Sequence, residues 1–383
     1  MTGPRFSFAV HVLREDGSAA GQVPIDVDWE PARECLRFLA LRRGRPPAEA
    51  FALDCALDPV WHPKRGAPFL AGFRARAAEE GDSAASGSAG TGELRHDFRT
   101  DYFARASRTA AARLVAEGAL REGEPFHSLP VAFPRGEEPA AAVPAPRLLT
   151  RPAVPDVPIR AGSLGARLGR SAAHGIAARI EDVPVFVPRD VLDGAAVLAH
   201  AAERKETGGI LVGHLHRDAD TAGVFVEVTA QIPARHAEAD LVRLSFTPEV
   251  WTDVSAALAL RGRGEIMLGW WHSHPVREWC KDCSEESRRQ CSLAADFFSD
   301  HDRVLQRTVF PRAYSLGLVV NDVAAEAPTF SLFGWDGGVL RPRGFRVLEP
   351  DRPGPGGPGK TEEAAATAGA AGKATTGGGN HGG

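Results

Sequence analysis

From Phe6 the chain alternates apolar and polar positions through Phe8, Val10, His11 and Val12, and this period of two predicts a strand. Val23, Ile25 and Val27 predict a second one. Between Tyr102 and Ala116 the spacing changes. Phe103, Ala106, Ala110 and Leu114 recur as one helical face, and Gly118 is placed to cap it. Farther on, Val183, Val185 and Val187 form a short strand ended by Pro188. Arg189 to Lys205 then sets Val191, Leu192, Ala195, Leu198 and Ala202 inward on a helix broken by Gly208 and Gly209. Ile210 to Gly213, Val224 to Ile232, Ile266 to His272 and Tyr314 to Asn321 are apolar runs of strand length, rich in Val, Ile and Leu. Helices are expected from Thr247 to Leu260 and around Leu293 to Gln306. The order predicts an α/β (α+β) fold, a mixed sheet flanked by helices and preceded by a smaller α+β domain.

Three compositional breaks divide this pattern. Residues 81–92 are Gly- and Ser-rich and read as a loop, 136–160 as a Pro/Ala-rich linker, and 349–383 as a disordered tail with almost nothing to bury. The expected units are therefore 1–135, an α+β domain suited to substrate or partner recognition by its position alone, and 161–348. With 383 residues, 43% apolar and 25% charged, the chain is long enough for both to build cores. Its net charge of -4 offers no field for phosphate backbones or anionic lipid, so neither nucleic acid nor membrane is an expected partner. The opening MTGPRFSFAVHVLRED is too quickly interrupted for a signal peptide, and a cytoplasmic location is expected. The basic set of 40 Arg and 5 Lys has the look of a GC-rich bacterial genome.

Candidate chemistry concentrates late in the chain. In Trp270-Trp271-His272-Ser273-His274-Pro275 two histidines at i and i+2 of an extended segment point to the same side, so both rings can reach one ion. Downstream, Phe297-Phe298-Ser299-Asp300-His301-Asp302 supplies a carboxylate. Two imidazoles and one carboxylate, with a water in the fourth position, make an open catalytic zinc site rather than a closed structural one. Of the five cysteines, Cys35 and Cys55 are isolated among apolar neighbours and read as core thiols. Cys280, Cys283 and Cys291 crowd together in a C-x2-C-x7-C pattern that suggests a second, structural zinc, its fourth ligand open among His301, Asp282 and a distant residue. His214 and His216 precede a polar turn and read as exposed, and His200 as structural. Trp270, Trp271 and Trp279 read as core or groove wall.

These residues resemble the JAMM (JAB1/MPN/Mov34) metalloproteases, whose motif is a Glu on an early strand, then His-Ser/Thr-His-Pro, then Ser-x-x-Asp. The matches are Glu206, His272 to Pro275, and Ser299 to Asp302, over about residues 180–335. One departure is the 27 residues between His274 and Asp302, where the family usually has about ten. Glu285, at the short spacing, and Asp296 are competing carboxylates. Asp302 is preferred because it alone has Ser three residues before it and the Phe-Phe lead.

The resemblance implies an MPN/JAB fold and a zinc-dependent peptidase or isopeptidase. It assigns Glu206 as general base and acid, Ser299 as oxyanion donor, and His272, His274 and Asp302 as ligands. Such enzymes commonly cut after the C-terminal Gly-Gly of ubiquitin-like proteins. A bacterial deubiquitinase-like activity is thus expected, with ubiquitin-like conjugates and E1-like and E2-like proteins as partners. The alternatives are a peptidase trimming a sulfur-carrier-type precursor and a non-catalytic MPN scaffold.

Overall fold

The alternation that begins at Phe6 becomes strand β1 (Phe6–Arg14), paired antiparallel with β2 (Ala19–Ile25). There follow α1 (Glu30–Arg42), α2 (Pro47–Ala52), β3 (Ala56–His62), β4 (Gly66–Ala77), β5 (Leu94–Arg99), α3 (Ala104–Ala116) and β6 (Phe126–Pro134). The sheet runs β2-β1-β6-β4-β3, with β5 also paired to β4. Helix α3 buries Ala110, Ala111 and Leu114 against Val10, Val12 and Val23, and it ends before Gly118, whose φ of +73° is the expected glycine cap. The computed structural model describes residues 6–77, 93–134, 157–179, 182–239, 244–291, 297–323 and 328–349. The expected loop at 81–92, most of the expected linker and the expected tail from residue 350 on lie outside them.

The second sheet is larger. Its elements are β7 (Ile159–Gly162), α4 (Leu164–Gly169), β8 (Ser171–His174), β9 (Val185–Pro188), α5 (Arg189–Ala201), β10 (Gly208–Asp218), β11 (Val224–Pro233), the short β12 (Glu238–Ala239) and β13 (Leu244–Ser245), and α6 (Pro248–Arg261). Then come β14 (Ile266–His274), α7 (Val276–Trp279), α8 (Glu285–Arg289), α9 (Asp300–Val309), β15 (Leu316–Asn321), β16 (Thr329–Asp336), β17 (Val339–Arg343) and β18 (Phe345–Leu348). The strand order is β17-β16-β15-β14-β10-β11-β9-β18-β8, with β7 beside β10 and both parallel and antiparallel neighbours. This is the mixed sheet with flanking helices, preceded by a smaller α+β layer, that the sequence pattern predicts.

Both faces of the central strands are buried, which is why they read as unbroken apolar runs. Ile210, Val212, Trp270 and Val319 pack with Val250, Val254 and Phe298 on one side. Leu211, Leu215, Trp271, Leu318 and Val320 share a second cluster with Leu36, Phe38, Leu41 and Phe73 of the first lobe. Polar contacts seal that seam: Arg217 donates to the Leu41 carbonyl at 2.8 Å, and Arg312 pairs with Glu34 at 3.2 Å. The helix expected to run to Lys205 ends at Ala201, before Gly208 and Gly209. They open β10 where the Trp271 and Ile232 carbonyls would collide with any Cβ, so glycine lets three strands approach at this point.

Two expectations are corrected. Residues 297–299 are not helical, 292–296 lie outside the described residues, and α9 starts only at Asp300, where the extended Ser299 caps it by accepting the Asp302 N–H on its side chain. His214 and His216 are not exposed but 7% and 6% accessible, since β10 continues past Gly213 to Asp218. Arg160 lies 3.0 Å from His214, and the His216 ring stacks on Phe225 with Nε2 2.9 Å from Glu227. Polar partners from neighbouring strands make burial of these rings tolerable.

Glu265, at the base of β14, gives the fold a marked acid sensitivity. Arg261 donates to it at 2.6 and 2.8 Å and Thr229 adds a hydroxyl, holding its carboxyl down at about 2 from 4.5. A carboxyl whose pKa is lower folded than unfolded contributes stability above about 4.5 and loses it as the pH falls toward 2. Glu265→Gln should therefore cost on the order of 2 kcal/mol at neutral pH, screening allowed for, and almost nothing near the acid limit. Urea unfolding of the two proteins across that range checks this.

Candidate metal centre

Strand β14 ends in the pair that the pattern singled out. His272 and His274 are 0% and 1% accessible, and their Nε2 atoms face each other at 3.2 Å. The first turn of α9 brings Asp302 to them, with Oδ2 3.6 Å from His272 Nε2. One ligand atom from each of the three residues lies within 4.8 Å of the others, so His272, His274 and Asp302 can together hold a metal ion.

The surrounding chemistry fits that use. Burial pushes both imidazoles down to about 3, so both are neutral at ordinary pH, the form that ligates metals. Asn321 Oδ1 lies 3.0 Å from His274 Nδ1. An amide oxygen can only accept there, which puts the proton on Nδ1 and turns the Nε2 lone pair toward the cluster. Two buried imidazole nitrogens and a carboxylate converging on one point are a donor set that suits a cation.

Aromatic rings fix the imidazoles in place. Trp270 stacks on His272 at 4.6 Å and Phe298 flanks it at 5.7 Å, while Phe297 stacks on His274 at 4.5 Å and Trp279 lies 5.2 Å from it. Gly317 on β15 is what admits Phe298, whose ring occupies the space a Cβ would need. Trp270 and Trp271 are wholly buried core, each with its indole N–H donated to a glutamine, Gln306 and Gln231.

Ser299 and Asp302 form a reciprocal helix cap. The Ser299 hydroxyl oxygen accepts the Asp302 N–H at 3.1 Å, and Asp302 Oδ2 accepts the Ser299 N–H at 2.7 Å. This leaves the Ser299 hydroxyl proton free to donate. Glu206 is 5% accessible and lies just before β10. Gly208 pairs with His272, and Ser273 brackets Thr207 with two bonds: its N–H donates to the Thr207 carbonyl at 2.8 Å and its Oγ accepts the Thr207 N–H at 3.0 Å. Glu206 stands two residues before that pairing begins. It does not join the ligand cluster.

The other sequence candidates fall away from this point or wait beside it. Glu285 is exposed at the start of α8 and paired with Arg289 at 2.6 Å, and Asp296 lies outside the described residues. His301 Nε2 is 3.2 Å from the Leu244 carbonyl. Cys280 and Cys291 have their sulfurs 3.5 Å apart, with Cys283 exposed beside them. Asn321 and the bracketing role of Ser273 were not anticipated. The signal for the first was an Asn closing the apolar run Leu318-Val319-Val320.

Residues 188–278 match the family model described as prokaryotic homologs of the JAB domain. Over this segment the chain is similar to the JAB domain. The matched stretch of the JAB domain contains Glu206, His272 and His274 and ends before Asp302. The chain is also similar to the solution structure of protein DSY2949 from Desulfitobacterium hafniense, at 18% identity and a TM-score of 0.31, over 44% of this chain and 94% of that one. No curated protein matches it.

Because Asn321 holds the His274 proton on Nδ1, Asn321→Ala should weaken metal binding about 10- to 100-fold without unfolding the sheet. Competition against a metal-sensitive dye, with the thermal melt of the metal-free protein as control, checks this.

Proposed function

We propose that the chain is a zinc-dependent metallopeptidase of the JAMM type, hydrolysing the peptide or isopeptide bond that follows the C-terminus of a ubiquitin-like protein. The observation that carries this reading is the convergence of His272, His274 and Asp302 within 4.8 Å, with Asn321 orienting one ring. The partners proposed with it are ubiquitin-like conjugates and E1-like and E2-like proteins, in the cytoplasm. Among the described residues no helix is long and apolar enough to cross a membrane.

Zinc held by these three residues supplies a water acidified from ~15.7 toward ~7 and a Lewis acid for the scissile carbonyl. The remaining work falls to the chain. Glu206, buried just before β10, takes a proton from the attacking water and delivers it to the departing amine. Ser299 spends its oxygen lone pair on the helix N–H and so presents its O–H to the oxygen that gains charge, an interaction typically worth a few kcal/mol. The aromatic packing around His272 and His274 keeps bulk water from their outer faces, which strengthens each of these interactions.

The test uses the full chain loaded with zinc and two substrates, a ubiquitin-like protein ending in Gly-Gly fused to a reporter peptide and the same protein joined to a lysine side chain. Cleavage immediately after Gly-Gly, stopped by a chelator and restored by zinc, is expected. Intact substrates in the presence of a fully metal-loaded protein would overturn the proposal.

A further inference from the structure

The segment between His274 and α9 contains a second cluster of soft ligands. Cys280 Sγ and Cys291 Sγ are 3.5 Å apart. A disulfide requires about 2.05 Å, whereas two thiolates bound at about 2.3 Å to a tetrahedral ion stand roughly 3.8 Å apart. The observed spacing is thus close to the edge of a metal tetrahedron. Cys283 belongs to the same turn, its N–H donating to the Cys280 carbonyl at 3.0 Å. Arg288 ties the turn together, donating at 3.1 Å to the carbonyls of both Cys280 and Cys283. Its own carbonyl accepts the Cys291 N–H at 3.1 Å, returning the chain to the Cys280 thiol.

The second observation is what this segment lacks. Every residue from 281 to 290 is exposed except the partly buried Arg288, and α8 buries no side chain at all. A ten-residue excursion with no buried side chain has little to offset the entropy of holding one conformation, and small coreless segments are ordinarily held by a disulfide or a metal.

We propose that Cys280, Cys283 and Cys291 bind a second thiophilic divalent ion, zinc, separate from the His272/His274/Asp302 centre. Cys283, exposed at the surface, closes the set by a side-chain rotation. No redox change is involved: three thiols release protons as three metal–sulfur bonds form. The ion fastens the stretch that carries Trp279, whose ring lies 5.2 Å from that of His274, and so braces one wall of the first centre.

The experiment loads the full-length protein, purified under reducing conditions, with zinc and separately with cobalt. About two ions per chain are expected for the parent, about one for Cys280→Ser/Cys291→Ser and about one for His272→Ala/His274→Ala. The cobalt form should show a thiolate-to-metal charge-transfer band that survives in the histidine variant and vanishes in the cysteine variant. That pattern separates this site from the proposed peptidase centre, because either can fail alone. Three freely titrating thiols in the metal-loaded protein with no such band would overturn the proposal, and so would a Cys280–Cys291 disulfide in the protein as purified.

Discussion

Glu206→Gln should lower turnover of a Gly-Gly fusion substrate about 10²- to 10⁴-fold while leaving metal content and melting temperature unchanged. The amide keeps the size of the carboxylate and one acceptor oxygen but cannot carry a proton between water and amine. Glu206 is buried and stands outside the ligand cluster, so a loss of metal is not expected to accompany the loss of rate. Single-turnover rates on protein of measured zinc content check this. A variant as fast as its parent removes Glu206 from the chemistry.

Asp302 has two functions that different substitutions separate. Its carboxylate is one of the three converging ligands, and it also accepts the Ser299 N–H that starts α9. Asp302→Ala should lose both, with metal affinity falling by more than the ~100-fold upper limit for a residue that only supports a ligand, and stability of the metal-free protein falling by about 1 kcal/mol. Asp302→Asn keeps an oxygen for the Ser299 N–H, so it should restore most of the metal-free stability but not the affinity. Calorimetric titration with zinc and urea unfolding of the apo forms measure the two effects independently.

Legibility in the sequence followed the range of the interactions. The His272/His274 pair was readable because a two-residue repeat on a strand fixes direction locally. Ser299 to Asp302 was readable for a similar reason, as the same S-x-x-D spacing that places a ligand also builds a helix cap. Asn321 was not, because it reaches His274 through the parallel pairing of β14 with β15, which joins residues 47 positions apart. The length of β10 was misjudged because His214 and His216 look solvent-bound until Arg160 and Glu227 arrive from neighbouring strands. In the first lobe, prolines inside strands, Pro59 in β3 and Pro130 in β6, disguised most of a sheet whose first and second strands were plain from alternation.

The central claim is that His272, His274 and Asp302 together hold a divalent ion, and anomalous diffraction from zinc-soaked crystals of the full chain tests it most directly. The account predicts an anomalous peak about 2.0 to 2.1 Å from Nε2 of both histidines and about 2.0 to 2.2 Å from a carboxylate oxygen of Asp302. A map with no peak there, and with Asp302 engaged only in capping its helix, would contradict it.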